Sequence, residues 1–393
     1  MGNGVVQTKI SAVTFDSSQF SKVASILAPI LHFIELRDNG HVPTVYFEIF
    51  GSLKEELVNL SKVNLVSNDY SQSRLGKFAR MVGPLSQQIK SFGLHHSFQQ
   101  QSHGSNFISN NNDHIDYRSM GDFLATLSQL ECCSIPVVSG LTEDAQSMAH
   151  LLSSLPPTLK HLYLTRVDSF SMIHLNNRWP VEPSYLQLTH LNIPAPVCLE
   201  LAFTNFLNNF KKMKKLRLNL YDQTWCVAAA KGGQAGFKAL KKKFHFLTQM
   251  DELEELDLDS CQYPATVIPS MPLDLLSGHK ITKSLTRMQI YRVRLTGATE
   301  EIAAEFSVLK SLSMDFRFTE NEDFVSFLMP QLQELFFFTP FMPRNVKLLE
   351  KGAKLEKLNL AIAGLISYYT TANDIRKVKY NIKAFQHTNQ DLF

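Results

Sequence analysis

Cysteine is scarce in this sequence. Five occur in 393 residues, Cys132, Cys133, Cys198, Cys226 and Cys261, an odd number without a C-x-x-C spacing. Disulfide frameworks and zinc cages need closer pairing, so buried free thiols in a reducing compartment are expected. Long apolar runs are missing too, and no stretch approaches the roughly 18 residues of a membrane span. The first apolar cluster, Val23 to Leu31, follows a polar stretch and is broken by Pro29, which is not the form of a secretory signal. Gly2 has Val6 where a myristoylation signal has Ser or Thr. Charge of one sign is lacking: 39 Lys and Arg against 36 Asp and Glu leave a net +3, too mild to point to nucleic acid or an anionic membrane. A cytoplasmic or nuclear protein is expected.

Catalytic signatures are also missing. There is no G-x-S-x-G elbow, no H-E-x-x-H and no kinase-type motif. Gly232 to Lys238 reads G-G-Q-A-G-F-K, but the spacing is not that of a phosphate-binding loop and no Ser or Thr follows the lysine. His95, His96, His103 and His114, with Asp113, lack the tight spacing of a zinc site and read as histidines of a solvated loop. No enzyme activity, metal or cofactor is expected.

What is present is a repeat. The pattern L-x-x-L-x-L, with other apolar residues allowed, recurs along the chain. Clear copies are Leu159-Leu162-Leu164, Leu188-Leu191-Ile193, Met213-Leu216-Leu218, Leu253-Leu256-Leu258, Leu285-Met288-Ile290, Leu309-Leu312-Met314, Leu332-Leu335-Phe337 and Leu355-Leu358-Leu360. Weaker copies are Ile10-Val13-Phe15, Leu31-Ile34-Leu36, Leu60-Val63-Leu65, Ile89-Phe92-Leu94 and Leu127-Leu130-Cys132, with a last one at Ile375-Val378-Tyr380. Most spacings fall near the roughly 20–29 residues of a leucine-rich repeat. The chain resembles the leucine-rich repeat superfamily over nearly its whole length, most clearly over 125–365. The family's Asn or Cys three residues after the last apolar position is matched by Asn39, Asn68 and Cys261, whereas Val167, Pro196, Tyr221, Val293 and Ala363 depart from it. The resemblance is closest to the irregular ribonuclease-inhibitor-like and cysteine-containing classes. It implies an α/β solenoid, a horseshoe with a parallel concave sheet and convex helices, and a protein that binds other proteins.

Between the copies, helices are expected over Leu141–Leu155, Pro196–Phe210, from Thr319 through Leu328, and from about Val346 to Gly352. A single solenoid over 1–393 follows, with clear repeats at 125–365, weaker ones at 1–124 and a C-terminal cap at 366–393. Two insertions break the rhythm. Residues 97–120 are rich in Gln, Asn and Ser and read as a flexible loop. Residues 222–248 read as a glycine-rich turn and a basic amphipathic helix with Lys238, Lys241, Lys242 and Lys243.

Alternation along a strand places the residues between the apolar positions on the inner face. The candidate partner-binding residues are therefore Tyr163, Lys215, Arg217, Glu255, Asp257, Arg287, Tyr291, Phe336 and Phe338. In parallel register Lys215, Glu255 and Arg287 form a plus–minus–plus row, with Arg217 beside Asp257. Exposed pairs of this kind contribute only about 0–1 kcal/mol each. Tyr and Phe are enriched in interface cores, so Tyr291, Phe336 and Phe338 are the expected anchors of a protein partner. Two alternatives stay open. One is a substrate-recognition subunit of an F-box-type ubiquitin ligase, although no F-box is evident. The other is a nucleic-acid or anionic-membrane binder working through Lys211, Lys212, Lys214, Lys215 and the 238–243 lysines; nearby Asp251, Glu252, Glu254 and Glu255 would offset that charge.

Overall fold

The computed structural model describes residues 7–10, 17–37, 49, 51–67, 72–96, 115–137, 142–166, 175, 178–220, 233–260, 270–314, 319–340, 348, 351–362 and 365–369. Contacts divide the chain into two compact units, Met1–Ala195 and Pro196–Phe393.

The first unit contains β1 (Gln7–Ile10), β2 (Phe33–Arg37), β3 (Lys62–Ser67), β4 (Ser91–His96), β5 (Cys132–Val137), β6 (His161–Arg166) and the start of β7 (His190–Val197). Each strand pairs in parallel with the next in chain order. The middle apolar positions stack in one line: Ile34, Val63, Phe92, Cys133, Leu162 and Leu191, none more than 1% exposed. Burial of such a side chain is worth roughly 1.5–3 kcal/mol, and stacking identical positions makes that core continuous.

The register corrects two copies of the motif. Cys133, not Leu130, lies opposite Phe92, so the fifth repeat is Leu130-Cys133-Ile135, three residues later than the leucine spacing suggested. Ile10 lies opposite Leu36, so it fills the last motif position, and Thr8 stands opposite Ile34 in the middle one. A polar residue at the middle position hides a copy from an apolar pattern, and a leucine-rich helix end offers a false one.

The second unit contains β8 (Lys215–Leu220), β9 (Glu255–Ser260), β10 (Ser270–Pro272), β11 (Arg287–Tyr291), β12 (Arg294–Thr296), β13 (Ser311–Met314), β14 (Glu334–Pro340), β15 (Lys357–Ile362) and β16 (Leu365–Tyr369). Strands β8, β9, β11, β13, β14 and β15 pair in parallel in that order, and β16 closes on β15 antiparallel. Here the buried line is Leu216, Leu256, Met288, Leu312, Leu335 and Leu358. Strands β10 and β12 form a small parallel sheet of their own.

A second repeating feature lies just before each strand. The carbonyl of His32 accepts the N–H groups of both Ser61 and Lys62, and Ser61, Lys90, Glu131 and Lys160 each do the same for the following repeat. In the second unit Lys214, Glu254, Thr286, Lys310 and Gln333 repeat it. Both lone pairs of one carbonyl are thus used per turn, leaving no orphan donor at the bend.

The connecting helices are α1 (Ser17–Leu27), α2 (Gln72–Val82), α3 (Tyr117–Ala125) and α4 (Thr142–Ser154) in the first unit. In the second they are α5 (Leu201–Leu207), α6 (Gly233–Phe244), α7 (Ile281–Ser284), α8 (Glu300–Glu305) and α9 (Thr319–Leu328). They bury one stripe against the apolar side of the strands; α4 buries Ala145, Met148, Leu151 and Leu152. Helix α3 starts inside the stretch read as a loop. Asp116 caps it by accepting the Ser119 N–H at 3.0 Å, and Tyr117 and Met120 are buried. The rest of that segment, 97–114, lies outside the described residues, as do 222–232, most of the helix expected from Val346, and 370–393. Helix α5 is shorter than expected at both ends: β7 runs on to Val197 before it, and the helix ends at Leu207.

Candidate functional site

The polar residues of the second unit's strands lie in rows on the open face, opposite the buried leucine line. The first row is Lys215, Glu255, Arg287, Ser311, Glu334 and Lys357. The second is Arg217, Asp257, Gln289, Ser313, Phe336 and Asn359. The third brings Asn219, Asp259 and Tyr291 together. The register therefore places Lys215, Glu255 and Arg287 side by side and Arg217 against Asp257.

Ion pairs lock much of this face. Lys215 Nζ lies 2.6 Å from Glu255 Oε1, and Arg217 Nε lies 3.1 Å from Asp257 Oδ2. Lys357 pairs with Glu334, which also accepts the Ser311 hydroxyl at 3.0 Å. The Lys357 hydrogen bond holds the Glu334 carboxyl below its usual range. Burial pushes the Asp257 carboxyl up to about 6; Arg217 and Arg287 oppose that rise and Asp259 adds to it. Asp257 Oδ1 is buried and accepts no hydrogen bond. Burial likewise raises Asp259, against the pull of Arg292.

Arg292 is the residue that sequence reasoning missed. It follows β11 with φ +54°, a left-handed conformation that costs a non-glycine residue about 1 kcal/mol or more. There its Nη2 reaches Asp259 Oδ1 at 3.1 Å, and its guanidinium lies 4.3 Å from the Tyr291 ring centroid. Tyr291 is thus held in place by a stacked cation. The turn carrying Arg292 is clamped from below: Asn321 of α9, fully buried, accepts from Leu295 N–H at 2.8 Å and donates to the Val293 carbonyl at 3.2 Å. No spacing rule marks Arg292. Ser311 and Lys357 were passed over too, although alternation marks them, because they occupy the motif position of Lys215.

Phe336 is half-buried and stands between Ser313 and Asn359. Phe338 belongs to β14, but the β14–β15 register shifts between Phe336 and Pro340, so regular alternation does not carry on to Phe338, whose side chain is outside the description. Tyr163 belongs to the first unit, opposite Ser134 and Asn192. Next to it the His161 and His190 rings lie 4.1 Å apart, centroid to centroid. His95 shares that unit's face near Gly93, and burial lowers its pKa, with Glu35 opposing and Lys62 assisting. A Cβ at Gly93 would fall 2.6 Å from both Asn64 Oδ1 and His95 Nε2, so a larger residue there would displace those two side-chain ends. His103, Asp113 and His114 lie outside the described residues.

Three lysines away from the open face hold carboxylates. Lys214 pairs with Glu254 at 3.1 Å, Lys280 with Asp251 at 2.9 Å and Lys241 with Asp274 at 2.5 Å. Burial lowers Lys243 to about 8, opposed by neighbouring Cys198. Helix α6 begins at Gly233 and includes Gly236, so these two glycines are helical. Lys241, Lys242, His245 and Asn208 line an open depression of about 340 Å³.

The L-x-x-L-x-L motif, its parallel register and the doubled carbonyl ladder decide the architecture. It is a leucine-rich repeat fold. No family model and no curated protein sequence matches the chain. Among solved structures it is similar to the leucine-rich repeat-containing protein LegL7 of Legionella pneumophila, at 14% identity and TM-score 0.38 over 81% of this chain and 97% of that one. It is also similar to a chain of the Drosophila Toll–Spätzle complex, at 12% identity and TM-score 0.32 over 90% of this chain; it spans about half (49%) of that chain's length. Likenesses this distant add nothing to what the register shows. Among the described residues, no helix is long and apolar enough to cross a membrane.

Proposed function

We propose that this chain is a non-catalytic protein-interaction scaffold. A protein partner sits on the open face of the second unit, between β11 and β14. Tyr291 and Phe336 anchor it, with Phe338 at the edge. Lys215, Glu255, Arg287, Arg217 and Asp257 set its orientation, and Tyr163 gives the first unit's face a comparable aromatic contact. The observation that carries this reading is the ordered open face itself: half-buried aromatics embedded in ion-paired rows, with Arg292 in a strained conformation behind Tyr291. Aromatics on an open sheet gain most when a partner covers them, and Tyr and Arg are the residues enriched at binding hot spots. No cofactor is needed.

The lysine clusters support a nucleic-acid or membrane reading less well, because Lys214, Lys215 and Lys241 each already hold a carboxylate. The test is affinity purification with mass spectrometry, comparing the native chain with a Tyr291→Ser/Phe336→Ser variant of unchanged melting temperature. Loss of a specific set of proteins is expected. Recovery of every partner by the variant would move the site off this face.

A further inference from the structure

Among the described residues, the open face of the second unit carries one more cation than its carboxylates neutralise. Lys215 contacts Glu255, Arg217 contacts Asp257, Arg292 contacts Asp259 and Lys357 contacts Glu334. Among the described residues, Arg287 has no carboxylate within ion-pair distance. Its register explains why. Glu255 on one side is held by Lys215, and on the other side the position that would supply an anion is Ser311, whose hydroxyl turns to Glu334 instead. Arg287 is exposed, so its guanidinium is reachable from outside. Its charge is felt by Asp257 and Glu334, which lie to either side without contacting it.

We propose that Arg287 is the docking point for an acidic side chain, Asp or Glu, presented by a protein partner seated between β11 and β14. This rests on the binding face proposed above and names the chemistry it selects. A carboxylate matches the guanidinium fork with two parallel hydrogen bonds. It would occupy the gap that Ser311 leaves in the row and bring the face to neutrality. Tyr291, four residues along the same strand, and Phe336, two strands away, flank the contact and would keep water from it. A nucleic-acid backbone fits less well: Glu255, Asp257 and Glu334 surround Arg287 and would repel a succession of phosphates.

The experiment pans a phage-displayed random peptide library on the full chain, then measures the enriched peptides in solution. Enriched sequences are expected to share an Asp or Glu at one fixed position beside an aromatic or aliphatic residue. Arg287→Gln should weaken such a peptide at least about tenfold, roughly 1.4 kcal/mol. Arg287→Glu should bind instead the peptide whose acidic residue is changed to Lys. Ser311→Asp, which supplies the missing carboxylate within the chain, should also weaken the acidic peptide while the protein stays folded by circular dichroism. Peptides that lose binding in Tyr291→Ser/Phe336→Ser, yet share no acidic position and ignore Arg287→Gln, would overturn this inference and leave the binding face standing. Failure to enrich any peptide would overturn it as well. So would tighter Arg287-dependent binding of a single-stranded RNA oligonucleotide, which would make the partner a nucleic acid.

Discussion

Asp257 is the least exposed carboxylate among the described residues of the open face. One of its oxygens holds Arg217; the other is buried without a donor, and burial lifts its pKa from an ordinary 3.8 to about 6. Between about pH 4 and pH 6 the folded chain keeps a proton that the unfolded chain has released. Raising pH through that window therefore destabilises the fold, by at most about 1.4 kcal/mol per pH unit. Asp259 shifts in the same direction and adds to the effect. Glu334 is held below its usual value of 4.5 and acts only at lower pH. Asp257→Asn is expected to flatten this slope, as read from urea unfolding at pH 4.5, 5.5 and 6.5; an unchanged slope would mean the carboxyl titrates normally. At this scale the sequence was informative where chemistry follows the motif. Lys215, Arg217, Glu255 and Asp257 could be placed because alternation fixes which residues share a face. Arg292 could not, because its role depends on a backbone conformation that its residue type disfavours.

Each element repeats one solution with local adjustments. Strands were legible because their three apolar positions are set by a buried line that tolerates little else. Copies went astray where the middle position holds a residue outside the apolar pattern, at Thr8 and at Cys133. The short pair β10 and β12 has no alternation long enough to read, and the start of α3 was masked by the polar stretch before it. Helix packing was not legible either, and two glycines show why. Gly121 of α3 faces α4 so closely that a Cβ would lie 2.9 Å from Leu151 Cα, a backbone atom that cannot step aside. Gly76 of α2 has nothing within 4 Å of the same position. Gly121→Ala is expected to destabilise by about 1–3 kcal/mol through overpacking. Gly76→Ala is expected to stabilise by roughly 0.5–1 kcal/mol through helix propensity. Thermal or denaturant melts of the two variants check the pair, and equal effects would contradict the packing described for α3 and α4.

Across the whole molecule, both units present the same design: a buried apolar line, a doubled carbonyl ladder at the bends and an open face of polar rows. The two faces differ in chemistry. The first unit lines up Lys62, Ser91, Cys132, His161 and His190, the second a row of lysine, arginine and glutamate interrupted by Ser311. A difference of this kind would let the proposed scaffold tell partners apart, with the proposed contact in the second unit. Hydroxyl-radical footprinting of the chain with and without a recovered partner tests this most directly, because it reads side-chain exposure residue by residue. Oxidation of Tyr291 and Phe336 should fall when the partner binds, while Leu201 and Phe327 on the helix side, 57% and 37% exposed, should react as before. Protection of Leu201 and Phe327 with Tyr291 and Phe336 unchanged would contradict the account.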